Sequence, residues 1–105
     1  MERPNLNYIK KLSRGDQEFE KKIIDIIKKE FPEEKKVFRQ NYNSKNFKLA
    51  AENVHKLKHK ISILGIGKSY DIAVAFEHNL LKGDTHLNQE FESILKTMTN
   101  YLQQI

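Results

Sequence analysis

The sequence has 105 residues, the size of one domain with a single modest core. It contains no cysteine, which excludes a disulfide framework and a thiolate metal site. The balance of 19 Lys and Arg against 14 Asp and Glu gives a net charge of +5, which favours anionic partners, although acids such as Glu18, Glu20, Glu33, Glu34 and Glu52 lie among the lysines and make much of that charge a solvated helical surface.

Taken in chain order, Leu6 to Leu12 reads as a short helix, ended by Ser13-Arg14-Gly15-Asp16, with Asp16 as the N-cap of the next. Gln17 to Phe31 places Phe19, Ile23, Ile24, Ile27 and Phe31 on one face at helical spacing. Pro32 then either begins a new helix or kinks one long helix. Glu33 to Tyr42 continues helically, with Val37, Phe38 and Tyr42 inward. Asn43-Ser44-Lys45-Asn46 reads as a turn in which Asn46 or Ser44 caps the next helix. From Phe47 to about Leu64, Phe47, Ala50, Ala51, Val54, Leu57, Ile61 and Leu64 form an apolar stripe. Gly65-Ile66-Gly67 breaks that helix. Lys68 or Ser69 opens another, with Ile72, Ala73, Ala75, Phe76 and Leu80 as its apolar face. Lys82-Gly83-Asp84-Thr85 closes it and caps a last helix from His86 to Gln104, which carries Leu87, Phe91, Ile94, Leu95, Met98, Tyr101 and Leu102. Short connections and one apolar stripe per helix predict a single all-α domain over 1–105: an antiparallel four-helix bundle with an additional short N-terminal helix.

The longest apolar run, Ile61 to Ile66, is too short to span a bilayer, and Met1 to Asn7 lacks the apolar run of a signal peptide. The expectation is a cytoplasmic protein with no membrane partner. The initiating Met and the full set of helices suggest a free-standing chain.

The helix from Phe47 to Leu64 carries the chemistry. Its stripe centres near Val54 and Ile61, so His55 points away from the core toward solvent. His59, one turn on, faces almost directly outward, with Lys58 on the flanking edge. Ser62 continues the ridge, and Lys56 adjoins Ile63, an aliphatic residue on the outer face. A neutral imidazole is a competent nucleophile near neutral pH, and a cation one turn away can neutralise phosphoryl oxygens. A small exposed apolar patch beside them suits partner docking. Two histidines at i, i+4 can also be half a metal site. The run His55-Lys56-Leu57-Lys58-His59, however, lacks the zinc-protease glutamate and is flanked by cations, so no metal site is expected.

The segment His55-Lys56-Leu57-Lys58-His59-Lys60-Ile61-Ser62-Ile63-Leu64-Gly65 resembles the signature of the histidine phosphotransfer (HPt) domain family, H-x-L-K-G followed by apolar residues and L-G. His55, Leu57, Lys58, Leu64 and Gly65 fall in register. Ala50 and Ala51 resemble the small residues that precede the family's histidine, and Phe76-Glu77 resembles its apolar-Glu pair on the next helix. Gly15-Asp16 and Phe31-Pro32-Glu33-Glu34 extend the resemblance over nearly the whole chain.

The resemblance implies a phosphocarrier of a two-component phosphorelay rather than an enzyme. His55 would be the phosphoacceptor, Lys58 would hold the phosphoryl group, and Glu77 would orient the imidazole through Nδ1–H. Lys56, His59, Ser62 and Ile63 would face a docking partner. The partners implied are response-regulator receiver domains and a hybrid histidine kinase, with this chain a monomer. No cofactor is implied for the chain, since Mg²⁺ belongs to the partner receiver. No nucleotide-binding loop is present. One residue departs from the pattern: His59 stands where the family usually has Gly, which leaves room for the partner. Two competing readings are a basic helical module that binds nucleic acid, resting on the pI of about 9.4, and a module that docks receivers without being phosphorylated.

Overall fold

A computed structural model describes residues 3–105. Five helices account for most of them: α1 (Asn7–Ser13), α2 (Gln17–Asn43), α3 (Phe47–Ile63), α4 (Gly67–Leu81) and α5 (Asn88–Gln104). No strand occurs among the described residues. The helix starts follow local chemistry. The Asp16 side chain accepts from the Phe19 amide at 3.1 Å, and Asn46 does the same for Leu49 at 3.4 Å. Asn46, not Ser44, is therefore the cap of α3.

Pro32 neither starts a helix nor ends one. It lies inside α2, which runs unbroken for 27 residues, about 40 Å of helix. Proline removes the amide that would have bonded the Lys28 carbonyl. Its ring is on the exposed face, where water can satisfy that carbonyl. Some predicted core positions are exposed as well. Phe19 and Val37 are exposed, as is Ala75 on α4. Phe19 sits on the first turn of a helix that is longer than its neighbours, so little is there to cover it. Val37 and Ala75 each precede a fully buried phenylalanine, Phe38 and Phe76, and one helical step turns them about 100° off the core. Two helix starts also move. α4 opens at Gly67, ahead of Lys68, and α5 opens at Asn88, because the 84–87 segment is taken up by a turn in which Asp84 accepts from the His86 amide.

Side-chain pairs give the packing directions. Asn41 meets Asn53, and Lys60 meets Glu34 and Glu30, so α3 runs antiparallel to α2. Glu77 meets both His55 and Lys58, and the ring of Tyr70 lies beside the Lys58 ammonium, so α4 runs back along α3. Arg39 pairs with Glu92 and Lys35 with Thr99, so α5 runs antiparallel to α2. α5 also packs on α4, and α1 on α2. The core they enclose is dominated by Phe31, Phe38, Phe76 and Phe91 with Leu57, Ile61, Leu64, Leu95 and Met98. Phe38 meets Phe76 and Phe91 edge-on.

The C-terminal end of α3 is pinned from outside. The Asn5 amide donates to the Leu64 carbonyl at 2.8 Å, and the Asn5 side chain covers Gly65. Gly65 has φ +77°, and a Cβ there would lie 2.8 Å from the Asn5 amide nitrogen. A side chain would be strained at this φ and would push the Asn5 side chain aside, so glycine suits the turn where the N-terminal segment meets the end of the helix that bears His55.

Candidate functional site

α3 and α4 together build the site. The buried stripe Ala50, Ala51, Val54, Leu57 and Ile61 fixes the rotation of α3 about its axis. Given that rotation, His55 must point outward, and its side chain is 53% exposed. On α4, Ala73, Phe76 and Leu80 are the buried residues, so Glu77 falls at the edge facing α3. Its side chain is 22% exposed.

Three side chains converge there. Nδ1 of His55 lies 3.2 Å from Oε2 of Glu77. Nζ of Lys58 donates to the other oxygen, Oε1, at 2.9 Å, and the Lys58 side chain is only 12% exposed. One carboxylate is thus shared between an imidazole and an ammonium group, each with its own oxygen. Burial works to raise the Glu77 pKa. The hydrogen bond and charge of Lys58, then those of His55, outweigh it and hold the carboxyl below its ordinary range. An ionised Glu77 accepts from Nδ1–H, which leaves Nε2 as the unprotonated nitrogen. The exposed imidazole can therefore act as a nucleophile through Nε2.

Of the predicted residues, His55, Lys58 and Glu77 come together directly. His59 joins them: its ring meets that of His55 edge-on, centroids 5.1 Å apart and planes at 90°. Lys56 lines an open, largely apolar recess of about 400 Å³ beside His55, shared with Ala51, Glu52, Glu77 and Leu81. Ser62 is exposed but lies elsewhere, on a separate recess with Gly65, Lys68, Tyr70 and Asp71. Ile63 does not stand free on the outer face. It is half-buried and packs against the core.

Sequence reasoning missed two contributors. Leu81 is, among the described residues, the most exposed of the large apolar ones, at 60%, and lines the recess next to His55. Its position one turn after Glu77 could have signalled this. Tyr70 places its ring 6.0 Å from the Lys58 ammonium, a contact that only the α3/α4 packing reveals. Among the described residues, no group of three or more His, Cys, Asp or Glu side chains gathers as a metal site, and no helix is long and apolar enough to cross a membrane. The chain matches no family model, no curated protein and no solved structure.

Proposed function

We propose that this chain is a histidine phosphotransfer module, in which Nε2 of His55 accepts a phosphoryl group from a receiver-domain phosphoaspartate and passes it to another receiver. The observation that carries the proposal is the half-exposed His55 imidazole with Nδ1 held at 3.2 Å by a carboxylate on the neighbouring helix. The antiparallel pairings of α2 with α3, α3 with α4 and α2 with α5 support reading α2 to α5 as the four-helix bundle of such a module, with α1 as the added helix.

In this reading the P–O bond of the acyl phosphate breaks as the Nε2–P bond forms. The aspartate carboxylate leaves with the electron pair, and no proton has to move. The product ring keeps its Nδ1 proton and a positive charge, which faces ionised Glu77. The chain supplies the nucleophile and its orientation, while Mg²⁺ and most of the charge stabilisation reside on the receiver. The chain is thus a carrier rather than an enzyme, acting in the cytoplasm as a monomer between receivers, one of them belonging to a hybrid histidine kinase. The apolar recess walled by Leu81 and the cation Lys56 supply a docking surface for an acidic receiver face.

The test is transfer from a phosphorylated receiver. The wild-type chain should take up an acid-labile, base-stable phosphate, and His55→Gln should take up none. Label retained by His55→Gln would move the acceptor elsewhere and defeat the proposal.

A further inference from the structure

The cation expected to hold the phosphoryl group is already engaged with the carboxylate that orients the nucleophile. Lys58 donates to Glu77 at 2.9 Å, has a side chain 12% exposed, and has its ammonium 6.0 Å from the centre of the Tyr70 ring. Its charge is thus held at Glu77 and largely away from solvent. His59 has no such engagement. Among the described residues no hydrogen bond or ion pair holds it; it is exposed, and its ring meets that of His55. Lys56 is also free, but as the next residue along the helix it is turned away from His55, whereas i and i+4 residues lie one above the other.

The geometry points to a division of labour in which Lys58 is a positioning residue that holds Glu77, and His59, as imidazolium, is the group that neutralises the phosphoryl charge on His55. This inference rests on the phosphotransfer reading of His55. Charges at ring-contact distance lie well inside the Debye length of about 8 Å at physiological salt, so solvent ions barely weaken the interaction. A histidine ring can also be cationic or neutral close to neutral pH, which a lysine cannot. The consequence is a built-in opposition: His55 must be neutral to attack, and His59 must be protonated to help. The other charged groups near His55 are Glu52, Lys56 and Lys58 on α3 and Glu77 on α4.

The test uses phosphoramidate, a small phosphoryl donor that needs no receiver. Nε2 attacks phosphorus of its N-protonated form, the P–N bond breaks, and ammonia leaves with the electron pair. Labelling rate is compared at one fixed pH for the wild type, His59→Phe and His59→Lys. His59→Phe keeps an edge-on ring but no charge and should be about 10-fold slower than the wild type. His59→Lys restores a cation and should recover the rate. A wild-type rate in His59→Phe, or a His59→Lys as slow as His59→Phe, would overturn the inference while leaving His55 as acceptor. Labelling by phosphoramidate with no transfer from any receiver would defeat the relay reading and leave the role of His59 standing. No label on His55 from either donor would defeat both.

Discussion

Lys58 and Lys60 stand two residues apart on α3 and are buried to nearly the same degree, with side chains 12% and 14% exposed. Lys60 faces α2, where it is shared by two carboxylates, Glu30 at 2.9 Å and Glu34 at 3.3 Å. Lys58 faces α4, where one carboxylate is shared by two bases, Lys58 and His55. In the first network the cation is held between two carboxylates and no nucleophile takes part. Burial opposes the Lys60 charge, yet the two glutamates raise its pKa above the ordinary lysine value. In the second network the carboxylate is saturated and an imidazole nitrogen remains facing solvent. Similar chemistry, rotated by about 200° around one helix, serves cohesion on one side and reactivity on the other.

Glu77→Gln gives the largest expected effect on the reactive side. An amide is uncharged and can present its N–H to Nδ1, which favours the tautomer with the proton on Nε2, the wrong one for attack. Phosphoryl uptake by His55 should fall about 10- to 100-fold, a range within what oriented acid–base partners contribute. Thermal unfolding should show the variant folded. An unchanged uptake rate would mean that Glu77 pairs with Lys58 for structural reasons only, and the contrast between the two seams would disappear.

Lys60→Met is the reciprocal case. It leaves Glu34 half-buried without its cation, and Oε1 of Glu34 already lacks a hydrogen-bond partner. Losing one member of a largely buried pair should cost about 2 kcal/mol of stability, less than for a fully buried pair because solvent reaches the site. In a domain of this size that lowers the melting temperature by about 10 °C. Measured by calorimetry beside the labelling assay, the variant should lose stability and keep its phosphoryl uptake. Loss of uptake in a folded Lys60→Met would show that the two seams are coupled through α3.

The legibility of each network in the sequence depends on how local its cause is. The outward position of His55 depends on the Ala50, Val54, Leu57, Ile61 stripe within its own helix, and periodicity exposes it directly. Lys58 and Glu77 carry a spacing that resembles a known motif. The Lys60 network has no such signature. It requires α2 to continue through Pro32 so that Glu30 and Glu34, on either side of it, lie on one line facing α3. A proline with two readings conceals that register, because its cost depends on whether the ring faces solvent. Leu81 and Ile63 illustrate the same limit in opposite directions. Each is an aliphatic residue near a helix end, yet Leu81 is exposed and Ile63 packs against the core, a difference that periodicity within the helix does not carry.

The smallest expected effect separates the two networks by pH. Glu77 has its pKa lowered in the folded chain, so its contribution to stability is fully present above the ordinary carboxylate value of 4.5 and is lost as pH falls through the lower folded value. Glu30 is lowered as well, chiefly by its hydrogen bond to Lys60 and then by the charge of Lys60, but it is fully exposed and solvent screens it. Both networks therefore weaken in acid, the α4 side more than the α2 side. Chemical denaturation of wild type, Glu77→Gln and Lys60→Met between about pH 3 and 7 resolves them. The stability difference between wild type and Glu77→Gln should shrink as pH drops below about 4.5, since the wild-type carboxyl then becomes neutral too. The Lys60→Met chain should retain that acid-dependent component. A difference between wild type and Glu77→Gln that stays flat across the range would mean that Lys58 and His55 do not hold Glu77 ionised in solution, and the Nδ1–H orientation of His55 would lose its physical basis.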